Sequence, residues 1–254
     1  MIYNTDDELE LSELLRPLQN LEGLPLNELV YRQIKSLVLN GDLVSGDKVK
    51  ESVIAKKLNV SRGPVREANQ RLVETRFLES DAQKGIFVSH ISFDELEGLI
   101  KIRKSLSPLI ADEIINRIDC TDINGLRELV LILNQITIHN YNDKNYRYGL
   151  RFMGHFMALT GNPTLVNLYL QLIQKGRVYC LAQLHSRYKF INITDFNRCS
   201  LLGGTEGFDR LYKCLVDKDR NLMIDTLDVI SDRVLFRAQH PELLYSPVIK
   251  GLGQ

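Results

Sequence analysis

Apolar residues recur along the chain with two rhythms, and the change between them divides it. Leu29, Ile34, Leu37 and Val38 share one face of an amphipathic helix that Asn40 and Gly41 stop. A second short helix fits Glu51 to Leu58. After Asn59 and Val60, a third fits about Arg62 to Thr75, with Ser61 as its N-cap and Pro64 in its tolerant first turn. Phe77 to Ser80 and Gly85 to Ser89 read as two short strands around Asp81-Ala82-Gln83-Lys84, a hairpin tip. From Ser92 onward the period is helical. Ser92 and Glu95 make a capping box before the stripe Leu96, Leu99, Ile100, Arg103, Leu106, Ile110 and Ile114. Further helices fit roughly 121–139, 144–160, 163–186, 207–217 and 219–238.

The expected organisation is an N-terminal extension at 1–24, a helix-turn-helix with a small hairpin at 25–90, an all-α unit at 91–238 and a tail at 239–254. The fold class expected is mainly α. Composition changes this picture little: 254 residues, 44% hydrophobic and 25% charged, are ordinary for globular domains. Charge is more telling. The 32 Lys and Arg balance 32 Asp and Glu, which excludes a uniformly basic nucleic-acid coat and an acidic disordered chain. Locally, residues 1–24 carry six acids and one base, whereas 25–90 carry eleven bases and eight acids. The modest basic excess thus sits on the helix-turn-helix segment.

No run of apolar residues is long enough to span a bilayer, and the acidic start does not resemble a signal peptide, so a cytoplasmic chain is expected. Cys120, Cys180, Cys199 and Cys214 form no CxxC pair, and are expected as reduced core residues. There is no Ser-His-Asp or Cys-His order, no P-loop, no GxGxxG and no paired carboxylates. Neither an enzyme nor a cofactor is expected.

On the third helix Val65, Ala68, Leu72 and Val73 make the inner face, while Arg62, Arg66 and Gln70 fall at i, i+4 and i+8 on the other. Such a helix can enter the major groove of double-stranded DNA, because arginine's planar fork meets guanine O6 and N7 together and a helix N-terminus at Ser61 meets phosphate. A small bundle with a solvated arginine face fits the same spacing.

The order of parts separates these readings. Leu39-Asn40-Gly41-Asp42-Leu43 with Gly46, Glu51 through Ala55, Leu58-Asn59-Val60-Ser61-Arg62-Gly63-Pro64-Val65-Arg66-Glu67-Ala68, and Lys84-Gly85 with Val88 resemble the GntR family of bacterial winged-helix transcription regulators. The resemblance implies DNA contacts from Ser61, Arg62, Gly63 and Arg66, and from Lys84 and Gly85 at the wing tip in the minor groove. Three positions depart from the family pattern: Asn69 replaces a buried leucine, Arg76 a helix-ending glycine, and Ser52 an arginine found in some members. For Asn69 two readings stand, an amide turned toward adenine or a satisfied, partly buried amide.

The helical remainder, Ser92 to Phe236, resembles the ligand-sensing domain of the FadR-type branch, anchored by Arg103, the stretch Phe152 to Asn162, and the Asp219 turn. The branch implies a homodimer, and a two-fold protein demands a palindromic operator. Many members hold a metal with one Asp and three His. Here only His155 remains; Arg151 stands in the Asp place, Phe208 and Ile230 in the other two, and His90, His139, His185 and His240 are wrongly placed. A cation repels a divalent ion, so no metal is expected.

Positive and apolar residues replace that set. Arg151 and His155 lie on a helix apolar all round, and Arg103 interrupts an apolar stripe, with Arg177 a further candidate. Buried arginines need anions, either protein carboxylates or a bound small molecule. The second choice gives an anionic effector held by Arg103 and Arg151, with neutral or protonated His155 adding a donor. The first leaves a helical unit that only dimerises or binds a partner. The regulator is expected to be a repressor.

Overall fold

The computed structural model describes residues 24–120, 122–135, 143–187 and 205–240. The described chain divides into two compact units, one reaching to Ile91 and the other beginning at Ser92.

In the first unit, helices α1 (Leu26–Asn40), α2 (Glu51–Leu58) and α3 (Arg62–Glu74) precede a hairpin of β1 (Leu78–Asp81) and β2 (Gly85–Val88). Leu29, Val30, Ile34, Leu37 and Val38 of α1 are buried, as are Ile54, Ala55 and Leu58 of α2 and Val65, Ala68 and Leu72 of α3. These spacings are the apolar faces of three short helices closing on one core. The strands pair antiparallel from Leu78 opposite Val88 to Asp81 opposite Gly85, one residue later than the alternation suggests at the first strand. A third stretch joins the hairpin: Gly46 N donates to Val88 O, Val88 N to Asp47 O, and Val49 N to Ile86 O. The unit is a winged helix.

The second unit is all α: α4 (Phe93–Ile115), a 3-10 turn (Ile118–Cys120), α5 (Asn124–Gln135), α6 (Asp143–Ala158), α7 (Pro163–Arg187), α8 (Thr205–Asp217) and α9 (Arg220–Gln239). Capping signals in the sequence set several starts. Glu95 N donates to Ser92 Oγ at 3.1 Å before α4, and Leu222 N donates to Asp219 Oδ1 at 2.9 Å before α9. Between α6 and α7 the chain reverses through Gly161 at φ +64°, where a Cβ would stand 2.7 Å from Arg117 Nη1. Asn162 Oδ1 then accepts from Leu165 N, and Pro163 opens α7 without sacrificing a donor.

Arg103 of α4 lies over Tyr169 of α7, while Gly176 of α7 meets Leu96, about two turns earlier on α4, so α4 and α7 run antiparallel. Gly176 also admits Val234 of α9. Phe152 and Phe156 of α6, Tyr169 of α7, Phe208 of α8 and Ile230 of α9 belong to one apolar core. Among the described residues no helix is long and apolar enough to cross a membrane.

Candidate functional site

The sequence reading places DNA contacts on the outer face of α3, and the structure sets Ser61, Arg62, Gly63, Arg66 and Gln70 there, all exposed. Ser61 occupies the N-cap with extended backbone, but its side chain makes no capping bond, contrary to the role its position suggests. Its hydroxyl and the first amides of α3 are therefore unspent. Arg66 is 76% exposed and stands 3.9 Å from Glu51 Oε2, a loose pair that a phosphate or base outcompetes cheaply. Arg62 pairs with no carboxylate among the described residues.

Three other bases in this unit are committed. Arg71 donates to Glu28 and lies 4.1 Å over the Tyr31 ring, and Arg32 donates to Glu28. Lys35 sits 4.6 Å over Phe77, where burial pulls its ammonium down to about 8. The uncommitted bases of the segment therefore include those of α3 and the wing together with Lys50, Lys56 and Lys57 at α2, all exposed.

Two inner-face assignments change. Val73 is half-buried rather than core, and Asn69 takes the helical register of the core beside Val65, Ala68 and Leu72. Asn69 is fully buried and neither amide atom has a hydrogen-bond partner, so it is neither a base reader nor a satisfied amide. Arg76 adopts φ +56°, the left-handed geometry for which glycine is suited.

At the wing, Asp81 Oδ1 accepts from Gln83 N at 2.8 Å and Lys84 N at 2.9 Å. These bonds, first that from Lys84 and then that from Gln83, hold the exposed Asp81 carboxyl below the usual carboxylate range. Gly85 follows at φ +97°, so Lys84 and Gly85 sit together at the turn.

In the helical unit, Arg103 is 1% exposed, and its Nε and Nη2 are buried without a hydrogen-bond partner. Its guanidinium lies 5.3 Å over the ring of Tyr169, which is fully buried and whose hydroxyl also lacks a partner. No carboxylate among the described residues pairs with Arg103 or Arg151. Of the two sequence readings, the internal ion pair thus has no counterpart among the described residues. Tyr169 escaped the sequence reading because a tyrosine on an apolar stripe looks like core; only its unmet hydroxyl marks it.

Arg151 and His155 form a separate pair on α6. Arg151 Nε is buried without a partner, and His155 Nδ1 donates to the Arg151 carbonyl at 2.9 Å. That bond fixes the neutral tautomer, leaving Nε2 as a lone-pair acceptor, so only protonated His155 can donate to a ligand, a narrower role than the sequence allowed. No described contact joins this pair to Arg103. Arg177 is 3% exposed on α7, beside Cys180, whose thiol burial pushes up to about 12.

Among the described residues no three His, Cys, Asp or Glu side chains gather as metal ligands. The donor set does not fit a divalent ion: Arg151 adjoins His155, Ile230 lies in the core, and Phe208 packs 5.0 Å from Phe152. Cys180 and Cys214 are free and buried, while the expectations for Cys199, His139 and the segments 1–23 and 241–254 fall outside the described residues.

Comparison with known proteins agrees on the first unit. Residues 26–88 match the family described as bacterial regulatory proteins, gntR family. The uncharacterized HTH-type transcriptional regulator YdhC of Bacillus subtilis (strain 168) is 30% identical over 140 residues, 54% of this chain and 62% of that protein. The HTH-type transcriptional repressor RspR of Escherichia coli (strain K12) is 29% identical over 87 residues, 34% of this chain and 38% of its own length. The chain therefore spans less than two thirds of these curated relatives. The solved structure of E. coli McbR/YncC superposes with a TM-score of 0.69 at 21% identity, covering 87% of this chain and 100% of that one. A GntR-type regulator from Rhodococcus sp. RHA1 gives 0.63 at 15% identity, covering 84% and 97%. These two likenesses establish the fold.

Proposed function

Residues 26–88 are a GntR-family helix-turn-helix domain, and from that premise we propose that the chain is a sequence-specific, DNA-binding transcription regulator, a repressor and not an enzyme. Its α3 enters the major groove through Ser61, Arg62, Gly63, Arg66 and Gln70, and its wing meets the minor groove at Lys84 and Gly85. It acts in the cytoplasm as a homodimer on a palindromic operator.

The helical unit, on the same proposal, senses an anionic small molecule without a metal. One observation carries this: Arg103 is buried with two donors unmet, against a phenol equally unmet. An uncompensated buried cation costs several kcal/mol, and a carboxylate or phosphate removes that cost with charge-assisted hydrogen bonds. Arg103 and Tyr169 hold the anionic head; Arg151, His155 and Arg177 are candidates for the remainder of the molecule. The packing of Phe208 and Ile230 into the core favours a second reading, a helical unit that only dimerises or binds a partner.

Two measurements test these readings. Selection of genomic fragments by the purified full chain should return one palindromic motif; recovery of no preferred sequence would remove the regulator reading. A thermal-shift screen with organic acids, sugar phosphates and acyl-CoA esters should then raise the unfolding midpoint for a subset, since a ligand of the folded state stabilises it by RT ln(1 + [L]/Kd). A shift that survives in Arg103→Met removes Arg103 from the anion site, and no shift with any anion favours the second reading.

A further inference from the structure

We infer that Lys48, which lies on neither the recognition helix nor the hairpin, is a DNA contact that pairs with Lys84 across the wing turn and favours a narrow, A·T-rich minor groove. The inference rests on the reading of residues 26–88 as the DNA-binding unit.

Its basis is where the fold puts the ammonium. Lys48 bridges antiparallel to Phe87, and backbone bonds on either side, Val88 N to Asp47 O and Val49 N to Ile86 O, pin that register. From there the stem runs over the hairpin. A Cβ built on Gly85 would stand 3.4 Å from Lys48 Cε and 3.8 Å from Nζ, and Nζ lies 5.6 Å from the Phe87 ring centroid. The charge therefore ends at the wing turn. Whatever Gly85 approaches, Lys48 approaches.

A solvated lysine is ordinary surface, so charge alone decides nothing. What distinguishes this one is that its position is fixed, with the ammonium resting on the Phe87 ring and facing no carboxylate among the described residues. Lys48 is exposed, and no carboxylate among the described residues pairs with it or with Lys84. On α1 and α3 of the same unit, by contrast, Arg32 and Arg71 share the Glu28 carboxylate. The wing thus presents two cations flanking a residue with no side chain. The minor groove is only about 6 Å wide, so a bare glycine turn fits where a side chain would not. A·T tracts narrow it further and deepen its negative potential, which attracts inserted cations. Two lysines at one turn are matched to that field.

The rival role is purely structural, with the Lys48 stem serving to pack Phe87 and Gly85. Lys48→Met separates the two, because it keeps the apolar stem and removes the charge. The probe is a labelled duplex selected from a random-sequence library by the full chain, titrated by anisotropy between about 50 and 200 mM KCl. Lys48→Met should bind more weakly, with the slope of log K against log salt reduced by about 0.9, an unchanged unfolding midpoint, and less preference for A·T over G·C at the flank facing the wing. Lys48→Arg should restore all three. An unchanged slope and flank preference in Lys48→Met, with Arg62→Ala still impaired, overturns this inference alone. If Lys48→Met lowers the unfolding midpoint, Lys48→Gln at matched stability gives the same readout. If Arg62→Ala is silent as well, or no duplex is selected, the DNA-binding reading itself fails.

Discussion

Arg62 and Arg66 stand in water on the outer face of α3, whereas Arg103 is 1% exposed inside the helical unit with two donors unmet. The three share a side chain but not an energy. For the exposed pair, solvation meets the charge at no cost to the fold, so nothing in the free protein demands a partner. For the buried one, the desolvated guanidinium is a standing penalty that the Tyr169 ring offsets only in part. In the first unit, then, function is inferred from the face on which residues lie; in the second it is inferred from unmet hydrogen bonding. The same contrast explains why Asn69, buried and unpartnered on the inner face of α3, is not read as part of the DNA surface.

Four predictions test that contrast. The double variant Arg62→Ala, Arg66→Ala should lose the most, at about 1–3 kcal/mol of operator affinity for each bidentate contact, with no change in unfolding midpoint. Unchanged affinity in a folded double variant would dismiss the exposed face. Arg103→Met should act oppositely on stability: in ligand-free protein it should raise the unfolding free energy by about 1–4 kcal/mol, because it replaces a buried charge without a carboxylate partner among the described residues by an apolar side chain of similar volume. A loss of several kcal/mol in chemical denaturation would mean that a carboxylate does pair with Arg103. Asn69→Leu should stabilise the winged helix by about 1–3 kcal/mol by removing a buried, unsatisfied amide, without altering which operator is selected.

The smallest effect concerns pH. Because the Asp81 carboxyl is held below the usual carboxylate range by the Lys84 and Gln83 amides, its contribution is present above the unfolded value and lost as pH falls through the folded one. Asp81→Asn should lose that contribution at neutral pH, where the carboxylate is ionised, and converge with the wild type in acid, so that the acid side of the wing's stability profile flattens. Amide exchange at Gln83 and Lys84 reads this directly, and identical pH profiles for the two proteins would count against it.

What the sequence determined by itself was local. The three short helices, the hairpin around Asp81 to Lys84, the caps at Ser92 and Asp219 and the Gly161-Asn162-Pro163 reversal follow from periodicity and turn chemistry within a few residues, where the chain contacts itself. The exposed arginine face was legible for the same reason: helical register alone puts Arg62 and Arg66 opposite Val65 and Ala68. Register also placed Asn69, but not its partners, and of its two readings neither was decided locally because satisfaction depends on what the neighbouring elements offer. Tertiary structure alone decided that Arg103 meets Tyr169, that His155 spends its Nδ1 proton on the Arg151 carbonyl, and that Lys48 reaches Gly85. Residues far apart in the chain are brought together by the packing of whole helices and strands, and no local pattern of polar and apolar positions encodes which side chain stands opposite.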